Sequence, residues 1–102
     1  MNIWTLPKEQ TIRVALLRLA AEFVMHGLAL CCGDGWEATL ICDRYRCGLN
    51  AYLYTYGQSQ HHYGLQLHYP TEAQGGVPHY QPLEEVGLER LIELLSMHFD
   101  LI

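Results

Sequence analysis

The chain alternates most clearly over Asn50-Ala51-Tyr52-Leu53-Tyr54-Thr55-Tyr56. Successive side chains of a strand leave opposite faces of a sheet. Leu49, Ala51, Leu53 and Thr55 then point to a core. Tyr52, Tyr54 and Tyr56 point the other way, as a ladder of large rings with polar tips. The pattern predicts a strand from Gly48 to Tyr56. His61–Tyr69 alternates too, with Tyr63, Leu65, Leu67 and Tyr69 against His62, Gly64, Gln66 and His68. Trp36–Asp43 is another expected strand. Its reading places Trp36, Ala38, Leu40 and Cys42 on one face and Glu37, Thr39, Ile41 and Asp43 on the other. Leu28–Cys32 makes a short fourth strand. The segments Gly33-Asp34-Gly35, Arg44-Tyr45-Arg46 and Gly57-Gln58-Ser59-Gln60 are turns.

Helical spacing brackets these strands. Ile12, Leu16, Leu19 and Phe23 form a stripe in a helix that Thr5 or Leu6 caps, with Pro7 in its first turn. That helix runs to about His26 and closes at Gly27. Pro70–Pro82, with Gly75-Gly76, reads as a long loop. A second helix follows from Leu83 to Phe99, with Leu88, Leu91, Ile92, Leu95 and Phe99 as its stripe. The expected fold is a two-layer α+β sandwich, α-β-β-β-β-α, in one domain over residues 1–102. A four-stranded antiparallel β-meander carries the N-terminal and C-terminal helices on one face. Leu40, Leu53, Leu65 and Leu67 supply the sheet's share of the core.

Composition adds a partner. Half of the 102 residues are hydrophobic and 17% are charged, against about 25% in an average domain. A domain this small hides only about two-thirds of its chain's surface. The surplus apolar surface is expected to be buried in a homo-oligomer, most simply a dimer. The net charge is -5, and the basic residues are only Lys8, Arg13, Arg18, Arg44, Arg46 and Arg90. So few scattered cations argue against nucleic-acid binding. The apolar stretch within Val14–Leu30 is broken by Arg18, Glu22 and His26, so no transmembrane helix is expected. Met1-Asn2-Ile3-Trp4-Thr5 lacks the charged start and apolar run of a secretory signal. The expected location is the cytoplasm, with reduced thiols.

Candidate chemistry narrows the reading further. Four Cys and six His invite a zinc site, which needs two close pairs of ligands. Cys42 and Cys47 flank a turn at a loose spacing. Cys31-Cys32 and His61-His62 are adjacent and diverge in a strand, and no four-ligand set emerges. No metal or cofactor is expected. Gly33-Asp34-Gly35 lacks the lysine and hydroxyl of a phosphate loop, and no cysteine or serine sits in a nucleophile context. The expected function is therefore non-enzymatic protein binding. Its surface is the sheet face of Tyr52, Tyr54, Tyr56, His62, Gln66 and His68, with Ile41 beside them. The alternative is a pocket for a small apolar or aromatic molecule between the sheet and the 70–82 loop, lined by Trp36, Tyr63, Tyr69 and Tyr80. In architecture alone, a leading helix, a meander and an acidic closing helix resemble the dimeric secretion chaperones that hold partly unfolded effectors. That resemblance implies a homodimer with a protein partner.

Overall fold

Among the described residues, five antiparallel strands, not four, form the sheet. The computed structural model describes residues 8–23, 27–31, 35–70 and 79–101. In chain order the elements are α1 (Gln10–Glu22), β1 (Leu28–Cys31), β2 (Ala38–Asp43), β3 (Asn50–Tyr54), β4 (Tyr63–Tyr69), β5 (His79–Val86) and α2 (Leu88–His98). The strands lie side by side in sequence order, β1-β2-β3-β4-β5, each antiparallel to the next. Short connections favour such a meander.

Both helices cover one face. Ile12, Ala15, Leu16 and Leu19 of α1 and Leu91, Ile92 and Leu95 of α2 join Ile41, Ala51, Leu53, Leu65 and Leu67 in one buried cluster. Burial of these side chains drives the two layers together. Tyr63 sits among them, and its hydroxyl donates to the Thr11 carbonyl at 2.7 Å, which satisfies the polar tip inside the core. At the same end, just before α1, Lys8 is buried and its Nζ donates to the Gly35 carbonyl at 2.7 Å.

The helices are shorter than the sequence pattern predicts. Lys8 and Glu9 precede α1, Glu9 being extended, and Phe23 already leaves the helix. The expected caps at Thr5 and Leu6, and the first-turn Pro7, lie outside the described residues. Residues 83–86, expected to open the second helix, belong to β5 instead. So do residues 79–82, expected to be loop. Pro82 is compatible with this because β5 is an edge strand, where a missing N–H is tolerated. Between Leu65↔Leu83 and Tyr63↔Val86 the β5 side holds one residue more than β4. That is a β-bulge, and Glu85 takes the left-handed conformation within it at φ 53°.

Strand β2 faces the opposite way from the expected phase. Its register pairs Ile41 with Ala51 and Thr39 with Leu53. Directly opposed residues share a face, so Ile41 and Thr39 enter the core and are fully buried. Leu40, expected in the core, lies opposite Tyr52 on the face without helices.

The far end of α2 is tied back to the sheet. Asp100 adopts φ 52°, and the Leu101 amide donates to the Ser96 carbonyl at 2.9 Å, which closes the helix with a left-handed residue. Arg46, in the β2–β3 turn, donates to the Phe99 carbonyl at 2.9 Å and pairs with Asp43 and Asp100 at 2.8 Å each. Burial opposes ionisation of Asp43, but bonds from Arg46 and the turn amides outweigh it and hold the carboxyl below its ordinary range. Among the described residues no helix is long and apolar enough to cross a membrane.

The β2 phase gives a direct test. Ile41→Ala should cost about 2–5 kcal/mol, the range for emptying a closed core site. Leu40→Ala, at a half-buried site on the outer face, should cost about 1 kcal/mol or less. Urea unfolding of the two variants measures this, and equal losses would overturn the assignment.

Candidate functional site

The second face of the sheet is built around the three tyrosines. Leu53 and Ala51 point into the core, so Tyr52 and Tyr54 leave β3 on the other side. Tyr56 follows just beyond the strand, and its ring still packs on Tyr54. The centroids are 5.5 Å apart for Tyr52 and Tyr54 and 4.7 Å for Tyr54 and Tyr56, both tilted. The Tyr52 and Tyr56 hydroxyls are 3.2 Å apart.

The middle ring is not free. Tyr54 lies opposite Gly64 of β4, and a Cβ at Gly64 would stand 2.1 Å from the Tyr54 ring. Only glycine lets the ring lie flat across that strand. Beyond Gly64 the Tyr54 hydroxyl reaches β5 and donates to Glu84 Oε1 at 2.7 Å. The ring is left 7% exposed. The β3–β4 connection then folds over the β5 bulge. Gln58 donates through Nε2 to Glu84 and accepts from the Glu85 amide at 2.6 Å. The Ser59 amide and hydroxyl both donate to the Glu85 carboxylate, at 2.9 and 3.0 Å. Burial, then the Glu84 carboxylate, push the Tyr54 hydroxyl up to about 12. Burial and the charge of Glu9 do the same for Tyr63.

The other expected face residues divide. Gln66 lies opposite Tyr52 and His68 opposite Asn50, so both share the tyrosine face and both are half-buried. Burial holds His68 below its ordinary value. His62 precedes β4, in the turn, with Nδ1 3.0 Å from the Gln60 carbonyl. Ile41 does not belong to this face at all, because its register with Ala51 sends it into the core.

The expected pocket does not assemble. Trp36 is 58% exposed in the turn before β2, while Tyr63 is 1% exposed in the core with its hydroxyl already bonded. Tyr69 packs edge-on against His98 at 4.9 Å. The Tyr80 side chain lies outside the described residues. Other clefts are present among the described residues, and two of them border residues of the expected pocket. One, of about 580 Å³, runs between the first turn of α1 and the β3–β4 connection, and shares only Tyr63 with the expected set. The other, of about 240 Å³, lies between α2 and strands β4 and β5, and takes Tyr69 as one wall. Among the described residues no three His, Cys, Asp or Glu side chains gather as a metal site. Cys42 is half-buried and Cys47 exposed, both as thiols.

Comparison with protein-family models, with curated proteins and with solved structures gives no match.

Residues that the sequence reading missed are Gln58, Ser59, Glu84 and Glu85. The available signal was the inward Leu83 beside Glu84, directly after a proline suited to an edge strand.

Two measurements follow. An unfolded tyrosine ionises near pH 10, and Tyr54 and Tyr63 are held up to about 12. Their contribution to stability is complete below pH 10 and is lost as the pH rises towards 12. Absorbance titration should resolve the late ionisation of Tyr54 and Tyr63, with unfolding in the same window. Gly64→Ala should cost about 1–3 kcal/mol as an overpacked site and return the Tyr54 hydroxyl towards its ordinary value. A variant as stable as wild type, with Tyr54 still titrating late, would overturn the account.

Proposed function

We propose that this protein is a small non-enzymatic interaction protein that self-associates through the tyrosine face of its sheet. The observation that carries the reading is one-sided coverage. Both helices pack on the same face, and the described residues put only side chains on the other. Leu40, Tyr52, Gln66 and His68 are half-buried there, and Tyr56 is 44% exposed.

Such a face suits a second copy of itself. Two sheets pack roughly 10 Å apart with interdigitated side chains, and a two-fold axis presents the same patch to itself. Tyrosine covers much area at small entropic cost and keeps a polar tip for the rim. Tyr52 and Tyr56 are fixed against Tyr54, so little freedom is left to lose on association. The scarcity of basic residues weighs against a nucleic-acid partner.

Light scattering across a range of concentrations tests the proposal. Wild type should be a dimer. Tyr56→Asp should weaken association at least tenfold, about 1.4 kcal/mol, because it would bury an unpaired carboxylate. Its melting temperature should stay close to wild type, since Tyr56 is exposed. Tyr52→Asp serves as a second variant on the same face. Tyr54→Asp is unsuitable because it would also uncover Gly64 and free Glu84. A wild-type monomer, or two variants that dimerise as tightly as wild type, would refute self-association here.

A further inference from the structure

We propose that the cleft between the first turn of α1 and the β3–β4 connection binds a small free amine. The ligand class is a primary ammonium on an apolar stem, with the Glu9 carboxylate as its counter-ion. The cleft measures about 580 Å³, inside the range of small-molecule sites, roughly 300–1,000 Å³. A second cleft, of about 220 Å³, shares Glu9, Thr11, Gln60 and His61 with it. Neither is lined by Leu40, Tyr52, Tyr56, Gln66 or His68, the surface proposed for self-association. The two inferences therefore stand apart, and either can fail alone.

Glu9 carries a carboxylate with no structural duty. It holds the N-cap position of α1, where a side chain usually accepts from the first helical amides. Its own side chain makes no such bond. Its one hydrogen-bond contact among the described residues is the Thr55 hydroxyl, 3.4 Å from Oε2. That hydroxyl also lies 3.5 Å from the Glu37 carbonyl. Both distances exceed an ordinary O–H···O bond, and a single proton is shared between the two acceptors. The nearby cations are committed elsewhere. Lys8 is buried with Nζ on the Gly35 carbonyl, and Arg18 pairs with Glu22 and Glu89. Thr55 lines the smaller cleft, and Tyr63, whose hydroxyl feels the Glu9 charge, lines the larger. The carboxylate is thus held at the wall that the two clefts share.

The lining selects both the charge and the body of the ligand. Among the described residues, Glu9 and Glu37 are the only Asp, Glu, Lys or Arg side chains on either cleft. The field there is negative and draws cations in. Covering a carboxylate is costly unless it is paired, so a neutral or anionic occupant is disfavoured. Among the described residues no three His, Cys, Asp or Glu side chains gather to hold a metal. An organic ammonium asks less: one carboxylate and an apolar wall. Val14 of α1, Leu88 of α2 and Tyr63 of β4 supply that wall. An ammonium has three protons to donate, and Thr11 and Gln60, on both linings, carry side-chain oxygens for those that Glu9 does not take.

The test is a titration of the intact protein at neutral pH with phenethylamine, followed by amide NMR. Phenethyl alcohol, the neutral counterpart, and hydrocinnamate, the anionic one, are the controls. The amine should bind saturably at millimolar concentration and shift the amides of Glu9, Thr11 and Gln60. The alcohol should bind about tenfold more weakly, the worth of a charge-assisted hydrogen bond, and the anion should not bind. Glu9→Gln keeps the shape of the side chain and should lower the amine to the alcohol's affinity, with the melting temperature unchanged. Val14→Trp, at a position 42% exposed, should fill the cleft and abolish binding while the remaining amide spectrum is unchanged. Absence of saturable amine binding to wild type would overturn the site. So would equal affinity for amine and alcohol, or full amine affinity in Glu9→Gln. Light scattering on the same samples keeps the result separate from the oligomeric state.

Discussion

The contact on which the tyrosine face depends is the Tyr54 ring lying across Gly64 to reach Glu84. It joins three strands with one side chain: β3 supplies the ring, β4 the bare backbone beneath it, and β5 the acceptor. The β3–β4 connection is fastened by the same carboxylate, since Gln58 also donates to Glu84. Cross-strand pairs usually contribute a few tenths to one kcal/mol each. Here the glycine changes the balance, because the ring fills space that any other residue would occupy. Ala38, opposite Tyr54 on β2, is itself only 3% exposed. The face without helices is thus packed at its centre by its own side chains.

That packing divides the ladder by role. Tyr54 has exhausted its hydroxyl and most of its surface inside one chain. Tyr52 and Tyr56 flank it, and the Tyr56 ring lies 4.7 Å from it. They keep accessible surface and can offer it to a partner without first being ordered. His98 is committed in a similar way, with Nε2 donating to the Asn50 carbonyl at 2.9 Å, which ties α2 to β3.

The strands that were legible in the sequence were those with two chemically distinct faces. Over Asn50–Tyr56, small and aliphatic residues alternate with tyrosines, and the phase is unambiguous. Strand β2 offers apolar residues on both sides: Ala38, Leu40 and Cys42 against Thr39 and Ile41. Its phase is set by register with β3, a long-range fact that local alternation does not carry. Strand β5 was hidden by its bulge. Leu83 and Val86 both belong to the inner face, yet the extra residue spaces them three apart. Period two thereby looked like the start of the helical stripe that continues through Leu88 and Leu91. The pocket of Trp36, Tyr63, Tyr69 and Tyr80 failed because shared aromatic character does not bring residues together. Tyr63 faces the core and Trp36 sits in a turn, while Tyr63 and Tyr69 border separate clefts.

The sheet edges bear on how copies of this chain meet. An open antiparallel sheet invites pairing along its edge strands, and proteins blunt those edges with short strands, proline, bulges and charge. Strand β1 is four residues long, and Arg44 folds its Nε onto the Leu28 carbonyl at 2.9 Å. Strand β5 carries Pro82, the bulge at Glu85 and the exposed acids Glu84 and Glu85. Both edges are therefore poor templates for an added strand. The helical face is occupied by α1 and α2. Among the described residues, the broad surface with aromatic side chains lacks such protection. The distribution of proline, charge and bulge along the edge strands weighs against edge-to-edge pairing, which is why the proposed self-association is placed face to face.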